Sequence, residues 1–431
     1  MEKLFGLEKN NSNVKTEVLA GLTTFLATMY IIVVNPAIIS KTGMPFNAVL
    51  TATVIVSAFS SILMGIYAKN PIVLAPGMGL NAFFTYAVVL GMGVKWEVAL
   101  GAVFWSGIVF LLMSVFNIRT MIVKAIPKPI RYAVAAGIGI FITFIGFANA
   151  EFVIANPATM VGFGGLNSVT ITFFAGLMIT SIFVIRKIKG ALILGIIITT
   201  ILAIPIGRIW GSTEIVSWNG VFAMPDFSLI FKLDFIGSLQ FAMIPVIFAF
   251  LFTDMFDSLS TFIGVAEAAD LIDEDGEPRN VKESLIVDAV STTISGLFGT
   301  SSGTAYIESA TGIEEGGRTG LTAVIAGLLF LPFMFFSPIL SVVPSIATAP
   351  ALVLVGVFMI KPISKINWVK FDDAIPAFLG IILIPITYSI TQGIIWGFIS
   401  WTVIKLMLGK FEEVSPMLIV IDILAVLSMF A

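Results

Sequence analysis

Apolar runs long enough to form helices follow one another along this 431-residue chain, separated by short polar breaks. A helix needs about 20 apolar residues to cross the hydrocarbon core of a bilayer. These runs are continuous rather than alternating in polarity, so the spans are helices and not barrel strands. Charged residues make up 11% of the chain and hydrophobic residues 58%. A soluble domain is about 25% charged, so this chain cannot clothe a water-facing surface of its own size. A soluble enzyme, a nucleic-acid binder and a disordered scaffold are excluded together. With 23 basic against 26 acidic residues there is no basic field for nucleic acid. Cysteine and histidine are both absent. That removes disulfides, thiolate metal sites and zinc, and leaves proton chemistry near neutral pH to carboxylates. No cofactor and no metal are expected.

The candidate spans are 18–39, 48–68, 72–90, 98–116, 132–150, 168–185 and 191–205, then 235–262, 285–298, 304–312, 321–338, 349–360, 374–389 and 391–408. A polar, Trp-bearing connector, 209–234, divides them and is long enough for an interfacial hairpin or strand pair. A last apolar run, 417–430, stands apart. The N-terminal residues are polar and mixed in charge, with no apolar core before a small-residue cleavage site, so no signal peptide is read. With an inside N-terminus and fourteen crossings, every basic residue except Lys41, Lys95, Arg208 and Lys232 falls on the inside, as the positive-inside rule requires. Seven is odd, so the second half inserts inverted relative to the first, the common plan of secondary transporters.

Two spans are poor helices. The third begins Leu74-Ala75-Pro76-Gly77-Met78-Gly79-Leu80-Asn81, with a half-helix expected from near Asn81. The tenth, Gly299 to Gly312, is short and rich in Ser, Thr and Gly. They are third in each half, and matching interrupted segments point to a transporter's binding site. Irregular backbone persists at membrane depth only around protein or a water-filled cavity, and half-helix N-termini offer free N–H groups and positive dipole ends.

Asp254 and Asp257, three apart on the eighth span, share a helix face. Acids inside a span are functional candidates by default; the bland alternative places both in water at the helix end. Glu308 sits mid-segment in the tenth span, where neighbouring hydroxyls or backbone could satisfy it. Asn81 caps the half-helix or pairs with a heterocycle edge. Tyr306, two before Glu308, falls on the same side of an extended stretch. With 38 Phe in the chain, Phe83 reads more readily as packing than as a ligand contact. Glu314, Glu315 and Arg318 read as a solvated or salt-bridged loop, and Glu17, Glu151 and Asp422 are given no role. An intramembrane aspartyl protease would want its acids on separate helices, and a passive channel would not accumulate solute.

The stretches Thr23-Thr24-Phe25-Leu26 with Asn35-Pro36, Ala75-Pro76-Gly77-Met78-Gly79-Leu80-Asn81-Ala82-Phe83-Phe84, Asp254-Met255-Phe256-Asp257 and Tyr306 through Gly320 resemble the AzgA-like purine permeases of the nucleobase–ascorbate transporter superfamily. The resemblance covers nearly the whole chain. It implies fourteen helices in a seven-plus-seven inverted repeat, the third and tenth broken into short strand plus half-helix. It implies a core domain (1–117 and 235–342), a gate domain (118–208 and 343–410), an extracellular connector (209–234) and a C-terminal segment (411–431). It further implies a cell-membrane protein, often dimeric, that imports adenine, guanine or hypoxanthine by elevator-type proton symport, with a proton rather than sodium as the coupling ion. It is not an enzyme. Uracil or xanthine is the alternative substrate; an anion transporter of the same fold would want a neutral or basic site. By motif, Asp257, Glu308, Asn81, Gly79 and Tyr306 are the expected purine-binding residues; Ser309, through its backbone, and Phe83, at the purine face, are added on the mechanism this site suggests. Backbone N–H groups near Gly79, Ser309 and Ala310 meet its acceptors, and Asp257, Glu308 and Asp254 couple protons. Ser260 departs from the family pattern, where a glycine is expected.

Overall fold

The computed structural model describes residues 2–116, 126–209, 220–269, 271 and 278–428. Arg119 and Lys124 of the charge pattern, the side chain of Ser260, connector residues 210–219 and the end of the terminal run lie outside them. Among the described residues, eight helices are long and apolar enough to cross a membrane, and shorter apolar helices occupy 78–91, 191–206 and 320–335. The protein is therefore a mostly helical, multi-pass membrane protein.

The first span is two helices, α1 (Val14–Thr28) and α2 (Ile31–Ile39). Pro36 lies inside α2, where its ring and missing N–H disrupt the preceding turn. Next come α3 (Phe46–Leu63), the strand β1 (Leu74–Pro76), and α4 (Met78–Ala82), which widens into a π-helical stretch as far as Gly91. Then follow α5 (Trp96–Val115), α6 (Lys128–Asn149), the hairpin β2–β3 (Val153–Asn156, Met160–Phe163), α7 (Ser168–Ile185) and α8 (Ala191–Ile209). In the second half, α9 (Ile244–Ala269) and α10 (Val281–Phe298) lead to β4 (Gly303–Ala305) and α11 (Ser309–Glu314). The chain continues as α12 (Gly320–Phe330), α13 (Ser345–Met359), α14 (Phe371–Thr387), α15 (Ile390–Met407) and α16 (Pro416–Ser428).

Three expectations shift. The strand pair sits between α6 and α7, not in the connector, whose described residues 220–234 contain no strand. The eighth helix begins at Ile244 rather than 235, because Pro245 favours the first turn and resists an interior position. The half-helix of the third segment begins at Met78, three residues before Asn81. Pro76 holds Ala75 extended, and the extended Gly77 becomes the N-cap.

The two broken segments meet. β1 pairs antiparallel with β4, Leu74 opposite Ala305 and Pro76 opposite Gly303. Two strands of three residues cannot satisfy their own edges, and no water is at hand in a bilayer. Side-chain hydroxyls do so. Ser61 Oγ accepts from Leu74 N (3.1 Å) and Ser258 Oγ from Ala305 N (3.1 Å), while Thr292 Oγ1 lies 3.0 Å from Gly303 O. Gly299, at φ +95°, ends α10 and turns the chain toward β4. Elsewhere Gly65 and Gly320 allow their backbones to touch: a Cβ on either would collide with the other's carbonyl oxygen.

Helices pack most heavily as α5 with α10, α6 with α13 and α14, α7 with α8, α14 with α15, and α12 with α1 and α3. Two polar anchors hold the ends. Glu17, to which sequence reasoning gave no role, is fully buried. It accepts from Arg318 N, Thr319 N, Thr322 N and Thr322 Oγ1, capping α12 from 300 residues away. A carboxylate at a helix N-terminus is favoured by the free N–H groups and the dipole. Glu17→Ala orphans these donors, so we expect a stability loss of about 2–3 kcal/mol, read as a lowered melting temperature of the purified protein. Lys405, with a fully buried side chain, bonds Asp372 (2.8 Å), Asp373 (2.6 Å) and Glu413 (2.6 Å) and lies over the Trp401 ring.

Candidate functional site

A cavity of about 50 Å³ lies where β1, β4 and the starts of α4 and α11 converge. Tyr30, Met78, Gly79, Asp257, Thr261, Tyr306 and Glu308 line it, and Val355, Phe358 and Met359 of α13 close the far side. Glu308 and Phe358 also line a second cavity, of about 270 Å³, whose rim carries Lys187, Lys189, Glu314 and Glu315. The two residues form the partition between a small inner chamber and a wider approach. Lys189 and Glu315 form an ion pair at 2.9 Å at the rim of that approach, and Arg318 bonds the carbonyls of Ile313 and Gly317. A larger apolar hollow lined by Phe222, Met224 and Phe335 offers no charged group to orient a ligand.

Glu308 is the residue just before α11, and Tyr30, at the junction of α1 and α2, donates its hydroxyl to Glu308 Oε1 at 2.8 Å. Asp257, on α9, faces the same cavity with the Thr304 hydroxyl beside it. Among the described residues, no lysine or arginine lines this cavity. Two carboxyl groups without a cation repel anions and attract protons or N–H donors. Met78 and Gly79 belong to the first turn of α4, where backbone N–H groups have no intrahelical acceptor. The chamber therefore offers acceptors on one side and donors on the other. Tyr306 and Tyr30, 6.4 Å apart between ring centroids, supply aromatic walls. Such a site suits a small planar molecule with both donor and acceptor edges.

Four of the expected site residues, Asp257, Glu308, Gly79 and Tyr306, come together at this cavity. Tyr306 contributes its ring, because its hydroxyl donates to Pro76 O at 2.6 Å. Asn81, Ser309 and Phe83 do not reach the cavity. Asn81 Nδ2 donates to Asn35 Oδ1 (3.1 Å), within a buried link from α4 through α2 to Thr53 and Thr300. Ser309 Oγ accepts from Val73 N (3.0 Å). Phe83 packs edge-on against Phe250, 4.9 Å between centroids. The Ser309 and Ala310 N–H groups are also engaged, with Tyr306 O and Ile307 O. Asp254 and Asp257 share a helix face only in part: Asp254 is fully buried and its Oδ2 meets Thr292 of α10, away from the cavity. Tyr30 is the contact that sequence reasoning missed; a lone tyrosine in an apolar run carries no signal of its partner.

A multi-pass membrane protein whose two broken helices enclose a carboxylate-bearing chamber is built to carry a solute. The chain belongs to the Permease family, whose model (Xan_ur_permease) matches residues 15–395. It is 41% identical over 430 residues to the adenine permease AdeP of Escherichia coli (strain K12), covering 99% of this chain and 95% of that one. It is 39% identical over 436 residues to the guanine/hypoxanthine permease PbuO of Bacillus subtilis (strain 168), covering 99% and 100%. These relatives are permeases, and this chain is a transporter rather than an enzyme. Its fold is that of the transmembrane domain of the cyanobacterial bicarbonate transporter BicA, with a TM-score of 0.68 at 17% identity, covering 89% of this chain and 97% of that one.

Proposed function

We propose that the chain imports purine nucleobases (adenine, guanine or hypoxanthine) by proton symport. The observation that carries this reading is the pair Asp257 and Glu308 facing one small chamber opposite the first turn of α4. Purines present N–H donors and ring-nitrogen or carbonyl acceptors on one plane, which is the pattern the chamber complements. The purine sits between the third- and tenth-segment half-helices. Glu308 accepts from its N–H groups, backbone N–H of Met78 and Gly79 meet its acceptors, and Tyr306 and Tyr30 flank its face. Asp257 or Glu308 takes the coupling proton, which reduces the charge carried through the apolar barrier; Asp254 stands behind them.

The chamber supports an alternating mechanism by its size. A dry cavity of about 150 Å³ accepts benzene, and about 50 Å³ is too small for a purine. Entry requires α13, with Val355, Phe358 and Met359, to move relative to the half-helices. In this reading residues 1–117 and 235–342 form a core that slides as an elevator against a gate of 118–208 and 343–410. The separate packing of α6 with α13 and α14, and of α5 with α10, favours that division. Fourteen crossings in a seven-plus-seven inverted repeat, a cytoplasmic N-terminus and a homodimer belong to the same proposal.

The test is uptake of labelled hypoxanthine and adenine into proteoliposomes, with an inward proton gradient and with it collapsed. Gradient-dependent accumulation competed by guanine is the expected result. Absence of purine uptake by folded protein sinks the proposal, and uracil and xanthine in the same assay test the runner-up substrates. Tyr30→Phe removes one hydrogen bond to a charged group, worth about 1.5–2 kcal/mol. That loss falls on the folded protein, so the melting temperature should drop, and calorimetric titration should show a purine affinity altered by the freed Glu308 oxygen.

A further inference from the structure

Behind the chamber, α9 and α10 bring together a second set of polar groups that purine binding does not use. Asp254 and Ser258 are one turn apart on α9, and Asp288 and Thr292 one turn apart on α10, so each pair shares a face. The pairs interlock. Thr292 Oγ1 meets Asp254 Oδ2, and Asp288 lies beside Ser258. Asp254 and Asp288 are both 0% exposed, and neither lines the cavity. Asp254 Oδ1 and both carboxyl oxygens of Asp288 have no hydrogen-bond partner.

Two buried carboxylates cannot coexist here without a cation. The charges within electrostatic reach of Asp288 are Asp254 and Asp257, both acidic. Among the described residues no lysine or arginine is ion-paired with either acid: Lys282 stands in the first turn of α10, and Lys128 and Arg131 in that of α6, which packs on α9. α3 and β4 contain no ionisable residue, and α5 has only Glu97 in its first turn. Lys405 of α15 is committed to Asp372, Asp373 and Glu413. An unpaired charge in the interior is strongly disfavoured. The hydroxyls say which cation fits. Thr292 Oγ1 lies within hydrogen-bonding distance of both Asp254 Oδ2 and the carbonyl of Gly303, 3.0 Å away. A hydroxyl has one proton. If Thr292 donates it to the carbonyl, which can only accept, its contact with Asp254 needs a proton on the carboxyl group.

We propose that Asp254 and Asp288 form a second, buried acid pair that retains a proton on one of its two carboxyl groups, separate from the purine chamber. Asp257, three residues from Asp254 on the same helix, lines the cavity instead. The site exists whether or not a purine is bound, so its test uses none.

The experiment is infrared difference spectroscopy of the full-length protein in lipid, near neutral pH and without sodium or purine. The wild type should carry a protonated-carboxyl C=O stretch. Asp288→Asn and Asp254→Asn should each shift or weaken it, and the double variant should remove the component that the single variants move. If the double variant does not fold, the single-variant shifts decide. A band unchanged in both single variants overturns the proposal. So does a wild type that has no such band and whose melting temperature rises with sodium, an effect that Asp288→Asn abolishes; the site would then hold a metal cation.

Discussion

Glu308→Gln is expected to lower kcat/KM for purine uptake by roughly 30- to 150-fold and to weaken purine binding by a similar factor. Glu308 lines both the inner chamber and its approach, and Tyr30 uses one of its oxygens at 2.8 Å. Glutamine keeps one acceptor but turns the other oxygen into a donor, so a ligand N–H meets an N–H. Loss of a charge-assisted hydrogen bond costs about 2–3 kcal/mol, which is that factor in affinity. Asp257→Asn should behave differently. Asparagine can still occupy the wall beside Thr304, so purine binding should remain within a few-fold of wild type, while accumulation against a gradient is lost. Radiolabelled uptake in cells lacking their own purine permeases, paired with calorimetric titration of the purified proteins, separates the two outcomes. Were Asp257→Asn still to drive full uphill accumulation, its proton role would be refuted. If Glu308→Gln bound purine as tightly as wild type, the ligand could not lie against that carboxyl group.

The broken segments were legible because Pro76, Gly77 and Gly79, and the hydroxyl-rich stretch before Glu308, cannot sustain a lipid-facing helix. Acids in apolar runs are equally visible, hence Asp257 and Glu308. What the sequence hides is pairing at long range. Nothing near Glu17 announces that its carboxylate will cap α12, because its donors lie some 300 residues away. Asp288 lies inside the ninth candidate span, 285–298, and was passed over because nothing in the sequence of α10 shows that it faces Asp254 on another helix. Asn81 and Ser309 sit in the motif and still face away from the chamber. One turn of helix separates Asn81 from Met78, and their side chains answer to different neighbours, Asn35 and the cavity. Motif resemblance assigns residues to a segment; which face each side chain takes depends on packing that only the assembled fold supplies.

Lys405→Met should be the most destabilising single change outside the transport site, at about 3–5 kcal/mol. Its ammonium group, on α15, is the fully buried centre of a cluster. Asp372 and Asp373 reach it from the first turn of α14, and Glu413 from the segment before α16. Those three carboxylates could in principle hold a metal ion, but the lysine nitrogen already occupies their centre, at 2.6–2.8 Å. Removing the buried lysine leaves the carboxylates only the partly exposed Lys370 and Lys410 as partners, which is why the loss exceeds that of an exposed pair. Lys370 at 3.1 Å from Asp373, and Lys410 bonded to Asp372, are too exposed to replace it fully. The cost therefore comes from uncompensated carboxylates, and a second substitution tests that origin. Lys405→Met/Asp373→Asn should regain stability relative to Lys405→Met alone, since it removes one stranded charge. Melting temperatures of the purified proteins measure both effects. Equal destabilisation by the single and double variants would mean that Lys405 acts through its packing on Trp401, 4.3 Å from the ring centroid, rather than through its charge.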